Sequence, residues 1–452
     1  MSFVPQWIVP FAVVLGLLIF VHELGHFLMA KRAGVGVLKF SLGFGPKLIG
    51  FKRGETEYQI SALPLGGYVK MIGEDPGDSS PEAVDPRRSF SQKGVGTRAL
   101  IILAGPLTNL ILPVLLFSGI YMTVGQDYVV PLVGRPDAGS PAAEAGLEPG
   151  DRILAVDGKP VSRWEQLELP IRMSNGEPVA LTVQRAGKTF EVRLTPRKSK
   201  LFDPLGQEHE VWDVGLHPLV PTRVTRVQPG SPARAAGLEA GDEIVAVDGT
   251  PVAEWDELSR LIRARPGLPT LLTVVRDGKR FQVQVTPARQ EERDANGQVQ
   301  EIGIIGVLRG EPAVQRERLN PVRAVWAGVE ETVSTSATLI QGVWRIIEGR
   351  ISARTIGGPV MIAQVTGEVA QRGLKNLINW TALLSINLAI LNLLPIPILD
   401  GGHLLFSLIE WLRGKPVSLR KREIAQQVGF VLLVGLMIFA FYNDIFRLLG
   451  RP

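Results

Sequence analysis

The chain has 452 residues, 45% of them hydrophobic and 21% charged, with a mean hydropathy of +0.17. That balance argues against an ordinary soluble enzyme and for apolar blocks alternating with soluble domains. The net charge of +5 comes without a basic run interleaved with aromatics, which argues against nucleic-acid binding, and the absence of cysteine excludes disulfides and thiolate metal ligands.

The first apolar block covers about residues 5–30, and about 20 residues suffice to cross a bilayer. No basic residue precedes it and no small-residue cleavage site follows, so it does not read as a signal peptide. Within it stands "FVHELGHFLM", residues 20–29, with three ionisable groups where a charge is costly. A helix turns about 100° per residue, so His22 and His26 lie about 40° apart on one face and Glu23 stands beside them. This is the HExxH pattern: two imidazole ligands for Zn²⁺ and a carboxylate that handles a proton. A hydrogen-bonded cluster without metal is the alternative.

Residues 54–71, "GETEYQISALPLGGYVKM", alternate apolar and polar around Tyr58, Ile60 and Ala62, then carry Gly66-Gly67. They read as strands with a turn. A second apolar block follows at about 98–124. The segment between these blocks is rich in Lys and Arg, as is the loop holding Arg413, Lys415, Arg420, Lys421 and Arg422. Both should face the cytoplasm, which leaves both termini and the long central segment outside.

That segment contains a repeat. "SPAAEAGLEPGDRILAVDG" begins at Ser140 and "SPARAAGLEAGDEIVAVDG" at Ser231, and each runs on to a tryptophan and two alternating strands. Each copy is expected to be a small β-rich domain with a short helix ending at glycine and an Ala-Gly or Asp-Gly hairpin. The motifs resemble bacterial PDZ domains, which bind extended peptides by adding a strand to a sheet edge. The copies could instead be spacers, or a steric filter. After them, residues 320–347 have helical apolar spacing and a polar face, and are expected to lie along the outer membrane surface.

The third apolar block spans about 378–399 and the fourth about 427–449. Pro395 and Pro397 interrupt the third, and Gly401-Gly402 are read as freeing the chain after Asp400. Irregular backbone at membrane depth must be buried in protein or line a polar cavity. A catalytic zinc takes three protein ligands, and Asp400 arrives at the cytoplasmic end of its block, as His22 and His26 do. His403 is the weaker candidate. Asn392 could hold a substrate backbone or an oxyanion, or cap carbonyls of the broken helix.

HExxH in block one, Asn-x-x-Pro-x-Pro-x-Leu-Asp-Gly-Gly in block three and a PDZ-like pair between blocks two and three together resemble the site-2 proteases, intramembrane zinc metalloproteases. The resemblance covers nearly the whole chain. It implies a bacterial inner (cytoplasmic) membrane protein of regulated intramembrane proteolysis. His22, His26 and Asp400 would be its metal ligands, Glu23 its general base and Asn392 a substrate-binding residue. The strands holding Tyr58, Ile60, Gly66 and Gly67 would form a membrane-associated loop that pairs with substrate; a plain cytoplasmic hairpin is the alternative. Substrates would be single-span membrane proteins, such as a pre-trimmed anti-sigma factor or remnant signal peptides. The expected fold is an α-helical membrane core of four spans with two inserted PDZ-like domains. The corresponding division is 1–126, 127–218, 219–310 and 311–452. A non-catalytic PDZ adaptor with a structural metal site is the rival reading, and it leaves Glu23 without a use.

Overall fold

A computed structural model describes residues 3–74, 86–202, 208–293, 299–349 and 357–448, so Leu449, the expected end of the fourth block, lies outside the described residues. The chain divides into two compact units, Met1–Gly125 with Arg318–Pro452, and Gln126–Glu317.

The first unit opens with α1 (Phe3–Arg32), a thirty-residue helix that holds the whole first apolar block and ends on Lys31 and Arg32. Two long strands follow, β1 (Val37–Arg53) and β2 (Thr56–Met71). Their register is folded. Phe40, Ser41 and Leu42 face Tyr58, Gln59 and Ile60 on one side and Val69, Tyr68 and Gly67 on the other, while Gly50, Phe51 and Lys52 also pair with Gln59, Tyr58 and Glu57. The first half of β1 therefore runs between the two halves of β2, and the segment from Gly67 to Met71 is an outer edge.

Helix α2 (Val95–Thr123) packs closely on α1. A Cβ on Gly25 would lie 2.3 Å from the Ala104 carbonyl oxygen and 2.5 Å from Thr108 Oγ1. Thr108 donates to the Val21 carbonyl of α1 at 2.9 Å. Small residues and cross-helix hydrogen bonds are how apolar helices associate where lipid removes the hydrophobic driving force.

In the second unit, strand β3 (Gln126–Val129) leads into the first copy of the repeat. That copy contains α3 (Pro141–Glu144), β4 (Arg152–Val156), β5 (Lys159–Pro160), α4 (Trp164–Met173), β6 (Val179–Arg185), β7 (Lys188–Leu194), β8 (Arg197–Phe202) and β9 (Glu208–Asp213). After β10 (Arg226–Val227) the second copy repeats the plan: α5 (Pro232–Ala235), β11 (Glu243–Val247), β12 (Thr250–Pro251), α6 (Trp255–Arg263), β13 (Thr270–Arg276), β14 (Lys279–Val285), β15 (Ala288–Arg293) and β16 (Val299–Ile304). Strands β17 (Val307–Leu308) and β18 (Val314–Glu317) finish the unit, and β18 pairs with β3. The two four-stranded sheets have the same order, β5-β4-β6-β7 and β12-β11-β13-β14.

The matching letters carry matching physics. Ser140 and Ser231 cap their short helices by accepting from the Ala143 and Arg234 amides. Ala186-Gly187 and Asp277-Gly278 all have positive φ, as a type I′ hairpin turn requires. Asp151 and Asp242 are buried, and each accepts two bonds from the guanidinium of Arg185 or Arg276 at 2.6–2.9 Å. Each copy has its own apolar core. Glu254 joins the copies by accepting the Arg135 backbone amide at 2.7 Å.

The first unit resumes with α7 (Pro321–Ile347), α8 (Pro359–Gln371), α9 (Leu374–Leu393), α10 (Asp400–Arg413) and α11 (Leu419–Leu448). Where the sequence suggests a helix resting on the membrane surface, α7 is packed on protein. A Cβ on Gly328 would meet Ser118 Oγ at 2.7 Å and the Val114 carbonyl at 2.8 Å, and Leu339 joins Phe117 and Ile386. The helix nevertheless keeps an exposed apolar face with Val322, Trp326, Val333 and Trp344. Asp444 of α11 accepts from the amides of Gly358, Val360 and Met361 at 2.9–3.1 Å, tying α11 to the start of α8.

Among the described residues, four helices are long and apolar enough to cross a membrane: Gln6–Arg32, Val95–Thr123, Leu374–Leu393 and Leu419–Phe446. Their exposed Val9, Val13, Leu115, Val431 and Leu432 suit lipid rather than water. The third is shorter than expected. It stops at Leu393 because Pro395 and Pro397 have no amide to continue the ladder, and a fresh helix begins at Asp400.

The expected role of Gly401 and Gly402 is also corrected. Neither has a positive φ, and both lie inside α10. They are small because α10 turns back against its own approach: added Cβ atoms would lie 2.2 Å from the Leu394 oxygen and 2.3 Å from the Ile396 oxygen.

Candidate metal centre

Helix α1 presents His22 and His26 one turn apart, and α10 presents Asp400 as its first residue. These three are the group of His, Asp and Glu that could hold a metal ion among the described residues, with one ligand atom from each lying within 4.8 Å of the others. His22 Nε2 is 3.1 Å from Asp400 Oδ2 and 3.2 Å from His26 Nε2, and His26 Nε2 is 3.6 Å from Asp400 Oδ2. Both histidines are 8% exposed.

The tautomer of His26 follows from its surroundings. Its Nδ1 donates to the Ile101 carbonyl at 2.9 Å, so in the neutral ring Nε2 carries a lone pair. That lone pair faces a second ring nitrogen and a carboxylate oxygen, a set of donors that repel one another unless a proton or cation lies between them. The residues fit zinc. Ligands about 2.0–2.1 Å from a tetrahedral ion are about 3.3 Å apart, close to the three separations here, and the fourth position is left for water.

Helix α2 is the backplate. Ile101, Gly105 and Asn109 are spaced by one turn and face α1 together. Ile101 holds His26. A Cβ on Gly105 would lie 2.3 Å from His26 Nε2 and 2.9 Å from His22 Cε1, so only glycine leaves room for the imidazole pair. Asn109 is fully buried with its Nδ2 3.4 Å from His22 Nδ1, and its backbone oxygen accepts from Ser385 of α9 at 2.7 Å. Arg98 bonds Glu410 at 2.6 Å, which fixes α10 on the same backplate. Asn109 and Gly105 have no place in the sequence reading. The available signal is "GPLTN", residues 105–109: a carboxamide inside an apolar block needs a partner.

The other expected site residues are distributed as follows. Glu23 adjoins the edge of the sheet: a Cβ on Gly67 would lie 2.9 Å from Glu23 Cγ. Gly66 has φ +108°, and a Cβ there would strike the Phe44 ring at 2.3 Å. Tyr58 is two strands further in, stacked on Phe51 at 5.2 Å and edge-on to Phe27 at 5.9 Å. Ile60 is 49% exposed on that inner strand. Asn392 comes to the histidine pair, with Nδ2 3.4 Å from His22 Nδ1. His403 lies outside the trio, exposed and edge-on to Phe406.

The sequence profile of Peptidase family M50 matches residues 10–436. The regulator of sigma-E protease RseP of Escherichia coli (strain K12) is 38% identical over 97% of this chain and 98% of its own length. A Neisseria meningitidis protein named as a zinc metalloprotease is 39% identical over 96% of this chain and 97% of its own. The PDZ domain of the SdrC-like protein Lmo2051 from Listeria monocytogenes aligns with 21% of this chain and 88% of its own, at 23% identity and a TM-score of 0.16. With a family match over most of its length and relatives aligned almost end to end, the chain belongs to Peptidase family M50, the site-2 proteases, and is a metalloendopeptidase of that type.

Proposed function

We propose that this protein cuts single-span membrane proteins within or near their membrane segment, using Zn²⁺ held by His22, His26 and Asp400. One observation carries it: two imidazoles and a carboxylate from helices far apart in sequence converge within 3.1–3.6 Å, beside a glutamate. A bound zinc supplies a Lewis acid that polarises a carbonyl and acidifies water. Glu23 takes the proton from the attacking water and returns it to the leaving amine. Asn392 offers its amide to the substrate backbone.

A peptide bond in a membrane helix is shielded, because its carbonyl is already hydrogen-bonded within the helix. The substrate must unwind locally. The outer strand from Gly67 to Met71, beside Glu23, can pair with the unwound segment and replace the lost bonds. Gly67, with no side chain, lets that segment pass close to Glu23. Tyr58 and Ile60 contribute by shaping the sheet behind this edge.

The family's sigma-E regulator suggests the substrates: an anti-sigma factor already shortened outside the membrane, or remnant signal peptides. The protein would sit in a bacterial inner membrane with both termini and the repeats outside. The PDZ-like pair would then screen substrates by the size of their outer domain, or bind exposed peptide ends. A non-catalytic adaptor would need no carboxylate beside the donor trio.

The test is cleavage of a single-span substrate by purified protein in liposomes. The expected result is one cut at the membrane segment, lost with a strong chelator and restored by zinc. Deleting residues 127–310 should admit substrates that keep a bulky outer domain. Cleavage indifferent to the chelator, or confined to soluble parts of the substrate, contradicts the proposal.

A further inference from the structure

His22 poses a problem that the donor trio does not solve. For Nε2 to present a lone pair to a cation, the neutral ring must carry its proton on Nδ1, and that proton must have an acceptor. Two carboxamides reach Nδ1, Asn109 and Asn392, and both bring Nδ2 to it at 3.4 Å. An N–H facing two N–H₂ groups is unfavourable. One amide must turn its oxygen to the ring, and a half-turn about the last side-chain torsion exchanges the two ends.

We infer that Asn109 is the residue that turns, and that it is a positioning residue: its Oδ1 accepts the His22 Nδ1 proton and fixes the Nε2 lone pair on the metal. Three observations choose it over Asn392. Asn109 is fully buried, whereas Asn392 is half-buried. Asn109 Oδ1 is a buried oxygen with no hydrogen-bond partner, so in its present orientation it stands desolvated without compensation. The Asn109 backbone is held by Ser385 on one side, and α2 is locked to α1 through Thr108 on the other, so the backbone that carries this side chain is fixed beside His22. Asn392 stands at the end of α9 before the broken stretch and keeps its amide for the substrate. The two asparagines touch one nitrogen yet divide the work, one for the metal and one for the peptide.

The inference rests on the reading of His22, His26 and Asp400 as a zinc site, and its test separates the two. Zinc affinity is measured on the full-length protein by competition with a chromophoric chelator, alongside kcat and KM for a single-span substrate. Asn109→Leu removes the acceptor at similar volume and should lower zinc affinity about 10–100-fold, the usual cost of losing such a partner. Asn109→Asp keeps an acceptor and should hold zinc at least as tightly as the natural residue, a result that a purely structural role does not give. Asn392→Leu should keep zinc within about twofold and act on KM and kcat instead. Folded Asn109→Leu with unchanged zinc affinity overturns the inference, as does Asn392→Leu losing zinc in its place. If Asn109→Leu does not fold, Asn109→Asp decides: weakened zinc binding there overturns it. Unaltered protein that takes up no zinc overturns the metal reading itself.

Discussion

Glu23→Gln protein is expected to fold, to bind one zinc ion per chain and to cleave at least about 10³-fold more slowly than the unaltered enzyme. General-base catalysis contributes about 10²–10⁴-fold, and a carboxamide cannot take a proton from water. Metal should be retained because Glu23 is not one of the three converging donors. The substitution is also close in volume, so the passage beside Gly67, where an added Cβ would lie 2.9 Å from Glu23 Cγ, keeps its width. Metal analysis and a membrane-substrate assay on the same preparation check both halves. In cells, uncut membrane stubs should accumulate and be identifiable by proteomics. Cleavage surviving in purified Glu23→Gln protein would remove Glu23 from the chemistry.

Gly105→Ala is expected to be as damaging by a different route. Its Cβ would stand 2.3 Å from His26 Nε2 and 2.5 Å from Cε1. The ring cannot swing away without breaking its bond to the Ile101 carbonyl. Nor can α2 withdraw freely, because Gly25 packs on Ala104 and Thr108 one turn away. Overpacking of this kind costs about 1–3 kcal/mol, and here it falls on the proposed ligand His26. Zinc affinity should fall about 5–140-fold, since each 1.4 kcal/mol is a factor of ten in binding. Metal analysis of folded protein, with circular dichroism as the control, checks it. Full zinc loading would show that the imidazoles tolerate a methyl group and that Gly105 serves only helix packing.

How much of this was visible in the letters depends on range. His22, Glu23 and His26 lie within one helical turn, and local spacing is enough to set them side by side. Asp400 could be matched to them because the basic loops predict that both blocks run in the same direction. The repeat declared itself through identical turns, and Asp277-Gly278 and Ala186-Gly187 adopt the backbone that such pairs favour.

Gly105 and Asn109 were hidden for a physical reason. Helix α2 is apolar all round, so the pattern gives no face, and nothing in it says that these residues meet the histidines. The order of the strands after α1 was hidden too. Alternation shows that residues 56–71 are extended, but not that the first half of β1 lies between their two halves. So Gly67 and Tyr58, close in sequence, stand on different strands of the sheet. Gly401 and Gly402 suggest a freed chain by their residue type alone, whereas a close return onto Leu394 and Ile396 demands them.

The proposed cation is shared by α1 and α10. The most direct measurement is anomalous diffraction at the zinc edge from crystals of the zinc-loaded protein. The expected result is a single strong peak about 2.0–2.2 Å from His22 Nε2, His26 Nε2 and an Asp400 carboxylate oxygen. A peak elsewhere, or one bound by the histidines with Asp400 beyond coordinating distance, would contradict it.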